Sequence, residues 1–196
     1  MSTGGEEDQY TDDTMQAYGT YYAPTAGGSS SAAGPSSASQ HAESTRMKKK
    51  KSIKSDNSLE LKGPMEVDGS IKSNGTVTFL GDFIVRDRIE VYGNVDLSGS
   101  LTCKSKMKSM GNVRVDGTAI FADKVKIFGK LNVTGTLEVQ NAIEVWGAVT
   151  IDGYMKCQSL TAYGSVTTVG DHSWYEIEEN ETVWGAKLIQ RDDYQE

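Results

Sequence analysis

Hydrophobic residues recur along the chain on a fixed period of six. From Leu59 the sequence divides into LELKGP, MEVDGS, IKSNGT, VTFLGD, FIVRDR, IEVYGN, VDLSGS, LTCKSK, MKSMGN, VRVDGT, AIFADK, VKIFGK, LNVTGT, LEVQNA, IEVWGA and VTIDGY without a gap. All sixteen hexads begin with an apolar residue. The third position is apolar in fourteen, Ser73 and Ser109 being the exceptions, and the fifth is glycine in twelve. IKSDNS (Ile53–Ser58) reads as a weaker hexad before this set; MKCQS, one residue short, then LTAYGS and VTTVGD follow it. Apolar residues at positions one and three have a period of two, which predicts a short strand with two inward side chains per hexad. Val and Ile suit strands, and glycine at position five permits a bend. Strands this short bury no core alone, so successive copies must stack.

The hexads group in threes. Every eighteen residues the fifth position is Asp87, Ser105, Asp123, Asn141 or Ser159 instead of glycine, residues that suit tight turns. An eighteen-residue coil with three sides predicts a triangular parallel β-solenoid of six to seven coils from Ile53, about 4.8 Å per coil. A left-handed hexapeptide solenoid has the same coil length, but it places a small residue two positions before the aliphatic one. Here Met65, Ile71, Phe83, Ile89 and Leu101 stand there, which favours a right-handed parallel β-helix and leaves the left-handed form as the alternative.

Composition divides the rest of the chain. Residues 1–45 carry six acids and no Lys or Arg, and 26–40 consist of Gly, Ser, Ala, Pro and one Gln. Such sequence buries too little apolar area to offset chain entropy, which predicts a disordered tail over 1–52. Its tyrosines (Tyr10, Tyr18, Tyr21, Tyr22) are read as solvated. A basic hinge spans 46–54, with Arg46, Lys48, Lys49, Lys50, Lys51 and Lys54. The body 53–171 is the solenoid, and 172–196 is a C-terminal cap or acidic tail. No apolar run reaches the length of a membrane span, and no basic start followed by an apolar stretch suggests a secretory leader.

The repeat resembles that of the bactofilins, a polymer-forming cytoskeletal family. The units IEVYGNVDLSGS and LNVTGTLEVQNAIEVWGAVTIDGY carry the likeness, with a polar tail and a basic junction in front. The resemblance implies a right-handed β-helix that assembles end to end without nucleotide into a non-polar filament and often lies on a membrane. The long N-terminal tail and the stretch HSWYEIEENETVWGAKLIQRDDYQE depart from it.

An enzyme is not expected, nor a metal, cofactor or small-molecule substrate. The hexad body has no histidine, His41 and His172 lying outside it, and its glycines are periodic bends rather than a phosphate-binding loop. Cys103 and Cys157 share the inward third position three coils apart, about 14 Å, too far for a disulfide; buried thiols suit a cytoplasmic location. The chain's expected partner is itself, through polymerisation ends at Ile53, Leu59 and Met65 and at Val166, Val169, Trp174, Tyr175 and Ile177. The alternative is a capped, monomeric solenoid adaptor. The hinge would bind an anionic membrane or an acidic protein, with a nuclear address as a minor alternative, and nucleic acid is not favoured. Tyr92, Met110, Phe128, Trp146 and Tyr163 form a column at position four, readable as a stacked ladder stiffening the coils or as an exposed stripe for lateral bundling.

Overall fold

A computed structural model describes residues 46–191, so the expected disorder of residues 1–45 lies outside the described residues. Sixteen strands follow one another: β1 (Lys48–Lys50), β2 (Ile53–Ser55), β3 (Leu59–Lys62), β4 (Met65–Val67), β5 (Ile71–Ser73), β6 (Val77–Val85), β7 (Ile89–Val91) and β8 (Val95–Cys103). Then come β9 (Met107–Ser109), β10 (Val113–Phe121), β11 (Val125–Ile127), β12 (Leu131–Val145), β13 (Val149–Ala162), β14 (Val166–Val169), β15 (Trp174–Val183) and β16 (Lys187–Gln190). Every pairing is parallel and joins a residue to its equivalent one coil away, as in Val113↔Leu131 and Val125↔Ile143. The result is an all-β parallel solenoid of about eight turns and about eighteen residues per turn.

The hexad pattern explains the core. First- and third-position side chains point inward on all three faces, from Leu61 through Phe79, Phe83, Leu101, Ile127 and Leu137 to Val166, and are almost fully buried. The two polar exceptions are satisfied: Ser73 Oγ donates to the Asn57 carbonyl, and Ser109 Oγ to that of Gly93. Cys103 and Cys157 are buried free thiols on one face, as expected.

The three corners bend by different means. Between the face beginning at Leu59 and that beginning at Met65, Gly81, Gly99, Gly117, Gly135 and Gly153 hold φ between +97° and +129°, a region L side chains rarely adopt. At the next-but-one corner Gly93, Gly111, Gly129 and Gly147 stack without positive φ; there the need is space, since a Cβ would meet the backbone of the coil below within 3.0 Å. At the third corner Asp123 Oδ1 accepts from the Lys124 amide (2.7 Å) and from Asn141 Nδ2 (3.1 Å), so side chains replace the missing glycine.

The stack is longer than the six to seven coils expected, because both flanks join it. Lys48–Lys50 pairs with Met65–Val67, so part of the basic hinge is a strand of the first coil. At the other end Met155↔Tyr175, Leu160↔Glu181 and Val166↔Lys187 place a complete further coil on the body. After the three-residue insertion His172-Ser173-Trp174, the hexads in fact resume as YEIEEN, ETVWGA and KLIQRD.

Candidate assembly and docking surfaces

The last coil is built by the same rule with altered residues. Its third positions remain apolar (Ile177, Val183, Ile189), but its inward first positions are Tyr175, Glu181 and Lys187. These three close on one another across the end. Tyr175 OH donates to Glu181 Oε1 at 2.8 Å, and Lys187 Nζ pairs with Glu181 Oε2. Burial and the Glu181 carboxylate push the Tyr175 phenol up, and the hydrogen bond to Glu181 holds the Lys187 ammonium above its ordinary range. The terminal layer is thus half polar plug and half open apolar surface, with Tyr175, Ile177 and Val183 half-buried and Ile189 exposed. Trp174 is exposed and lies against Tyr154, ring centroids 4.4 Å apart. Val166, expected on this end, is buried beneath Lys187, and Val169 pairs with Gln190.

Among the described residues the first coil is open likewise. Ile53 and Leu59 are half-buried, packed on one side only. Met65, also expected on this surface, is buried one layer inside, covered by the Lys48 strand. Beside it Glu66 is almost fully buried although its position is outward. Lys49 covers it (3.2 Å) together with Arg86, whose Nε donates to Glu66 Oε1 at 2.8 Å. Arg86 and then Lys49 hold the Glu66 carboxyl below its ordinary range. Arg46, Lys48, Lys50, Lys51 and Lys54 are exposed, so five hinge cations face solvent around one that is partly neutralised. Lysines thus crowd the first coil, whereas at the last coil Glu176 and Glu178 pair with Lys156 of the coil below and Glu181 pairs with Lys187.

The position-four column is both stacked and exposed. Phe128 and Trp146 lie 5.6 Å apart at 7°, Trp146 and Tyr163 4.4 Å apart at 15°, and Tyr163 and Trp184 6.4 Å apart at 1°. Trp184 extends the column by one coil and was not assigned to it from sequence; its place at the fourth position of ETVWGA is the signal. Tyr92, Met110, Trp146, Tyr163 and Trp184 all keep much of their surface in solvent, while Phe128 is half-buried. The rings engage each other face to face and present their edges outward.

Among the described residues no group of three or more His, Cys, Asp or Glu could hold a metal ion, and no helix is long and apolar enough to cross a membrane. The family model for bactofilins, described as polymer-forming cytoskeletal, matches residues 74–173. Neither the curated proteins nor the solved structures contain a match.

Proposed function

The chain belongs to the bactofilin family of polymer-forming cytoskeletal proteins, and from that premise we propose that it is a structural protein that polymerises without nucleotide by stacking its solenoid ends. The observation that carries this reading is that, among the described residues, nothing caps either end of the ladder. At one, β2 and β3 leave Ile53 and Leu59 packed on one side only; at the other, Ile177, Val183 and Ile189 continue the core columns outward. Unpaired parallel strand edges template further strands, and the apolar columns run on across such a joint.

Electron microscopy of the purified full chain without nucleotide tests it: filaments are expected, and a field of monomers would refute the reading in favour of a capped adaptor. Leu59→Arg and Ile177→Arg each place a charge in one joint and should abolish it while the fold survives. Like ends meeting would leave dimers in either single variant; head-to-tail joints would leave monomers only.

The hinge cations supply the second part of the proposal. In one subunit they give a weak, salt-sensitive hold on an anionic membrane or an acidic protein. A filament repeats them at every subunit, so binding rises by avidity. Changing Arg46, Lys51 and Lys54, which lie outside the inward positions of the first coil, to Gln should release polymer from anionic vesicles without preventing assembly. A polymer-blocked variant that binds as tightly as polymer would refute avidity and point to a receptor-read address such as nuclear import. On the polymer reading the chain works in the cytoplasm as a scaffold.

A further inference from the structure

One face of the rod gathers cations that the hexads keep apart in sequence. It is the face of β2, β5, β7, β9 and β11. Its outward column runs Lys54, Lys72, Glu90, Lys108, Lys126 and Glu144, each in register with the next. The sixth positions of the preceding hexads bring Arg88, Lys106 and Lys124 alongside. Arg88, Glu90, Lys106, Lys108, Lys124 and Lys126 line one groove of about 280 Å³. Lys72 is paired with Glu90 (3.0 Å), and Lys124 and Lys126 share Glu144 (3.4 and 3.1 Å). Arg88, Lys106 and Lys108 make no ion pair among the described residues. Of the corner acids, Asp123 is turned onto the Lys124 amide and Asn141, and Asp56 onto Asn74; Asp87 remains beside Arg88.

The aromatic column borders this face directly. Lys126 Nζ lies 5.3 Å from the Phe128 ring centre and 5.8 Å from that of Trp146, and Lys108 Nζ 5.8 Å from Phe128. Tyr92 OH donates to Glu90. Columns rich in cations, interrupted by Glu90 and Glu144, thus run beside a straight rail of Tyr, Met, Phe and Trp edges from Tyr92 to Trp184, about 24 Å long at one coil per ~4.8 Å.

We propose that this face and its aromatic edge form a side-on docking surface for an anionic lipid bilayer. In-register coils hold both sets of side chains in one plane, so a planar partner meets them together. Lys and Arg attract the anionic headgroups, while Trp and Tyr, apolar in body and polar at the tip, settle at the interface between headgroups and acyl chains. An acidic peptide lying along the cations would leave the aromatic edge without a role. Lys54 joins the face to the hinge lysines, so hinge and face make one continuous basic surface. A single subunit presents the whole face, so the proposal does not depend on polymerisation.

The test uses the full chain carrying Trp174→Phe and Trp184→Phe, which leaves Trp146 as its only tryptophan. Vesicles contain phosphatidylcholine alone or with phosphatidylglycerol, with brominated acyl chains. Trp146 emission should be quenched by the anionic vesicles and not by the neutral ones. Arg88→Glu/Lys106→Glu/Lys108→Glu should weaken vesicle binding at least tenfold, with sedimentation of polymer unchanged. Lys48–Lys51→Gln should bind more weakly yet remain quenched. Unquenched Trp146, or wild-type vesicle binding by the charge-reversed face, would overturn the proposal. So would a charge-reversed chain that keeps its vesicle binding but loses binding to polyglutamate, which would assign the face to an acidic protein. A chain that docks but never polymerises would overturn the assembly reading alone.

Discussion

Replacing Gly135 by alanine should destabilise the rod far more than replacing Gly81, although both hold positive φ at the same corner. At Gly81 (φ +97°) an added Cβ meets nothing nearer than the Gly63 Cα at 3.5 Å, ordinary van der Waals contact. The cost there is backbone strain alone, about 1–3 kcal/mol. At Gly135 (φ +116°) the same strain applies, and the Cβ falls well within 3.0 Å of the Gly117 carbonyl oxygen. That neighbour is backbone held in the β10–β12 ladder, so relief requires the two coils to part. Losing one or two ladder hydrogen bonds adds about 1–3 kcal/mol. A difference of about 2 kcal/mol corresponds to roughly 4–8 °C in melting temperature for a domain of this size. Gly117→Ala and Gly153→Ala, whose Cβ atoms meet the coil below in the same way, should fall with Gly135→Ala. Circular-dichroism melts of the four variants, matched for assembly state by sedimentation, decide the matter. Equal shifts for Gly81 and the other three would refute the claim that close coil-to-coil approach, and not φ alone, demands glycine here.

Two further predictions concern titratable groups. Burial pushes the Cys103 thiol up to about 11 and the Cys157 thiol up to about 12, so at pH 8 both should resist iodoacetamide in the folded chain and react once it is unfolded in guanidinium. Labelling of the native protein at the rate of a free thiol would contradict the inward placement of the third position. For Glu66 the folded pKa is depressed, so its contribution to stability is present above the ordinary value of 4.5 and is lost as pH falls through the lower folded value. Hydrogen-exchange protection factors at Lys48–Lys51, corrected for the intrinsic rate at each pH, should therefore fall in acid before those of the rest of the rod, and Glu66→Gln should show the lower protection at neutral pH. Unchanged protection of that strand in acid would remove Glu66 as its anchor.

The fold was legible because its rule is local: each hexad repeats the same two inward positions, and register over many coils leaves a single reading. What escaped was whatever depended on neighbours one coil away. Lys48–Lys50 reads as a solvated basic run, yet the exposed edge of Met65–Val67 offers it a parallel partner, and Glu66 gains a lysine cover when it pairs. The final coil was hidden by the insertion His172-Ser173-Trp174 and by polar residues at the first position, although Ile177, Val183, Ile189 and Gly185 keep the period. The two glycine corners look identical in sequence; only the backbone separates the one that needs positive φ from the one that needs room. Arg88, Lys106 and Lys124 read from sequence as a stacked, solvated edge whose field Asp87 and Asp123 largely cancel; their junction with Lys108 and Lys126 is what the sequence reading left out. Position six of one hexad and position two of the next are separated by a strand start, not by a corner, so Arg88, Lys106 and Lys124 share a face with Lys108 and Lys126.

The composition of the ends follows from a conflict that any open solenoid faces. A terminal coil with all six inward positions apolar would offer a flat hydrophobic ladder to every passing strand, the condition for uncontrolled aggregation. A fully polar one would end assembly. Here each end is mixed: Lys48, Lys50 and Ser55 stand with Ile53, Leu59 and Leu61 at the first coil, and Tyr175, Glu181 and Lys187 with Ile177, Val183 and Ile189 at the last. The plug at the last coil satisfies itself, since Glu181 holds both Tyr175 and Lys187. A joint there need not break these pairs, and the apolar half alone gains by being covered. Burying charged groups that are already paired costs less than burying them singly, so such a joint tolerates the plug while a partner lacking matching polar groups would leave its own unsatisfied. In such a joint, attraction would reside in the apolar half of the coil and selectivity in the polar half.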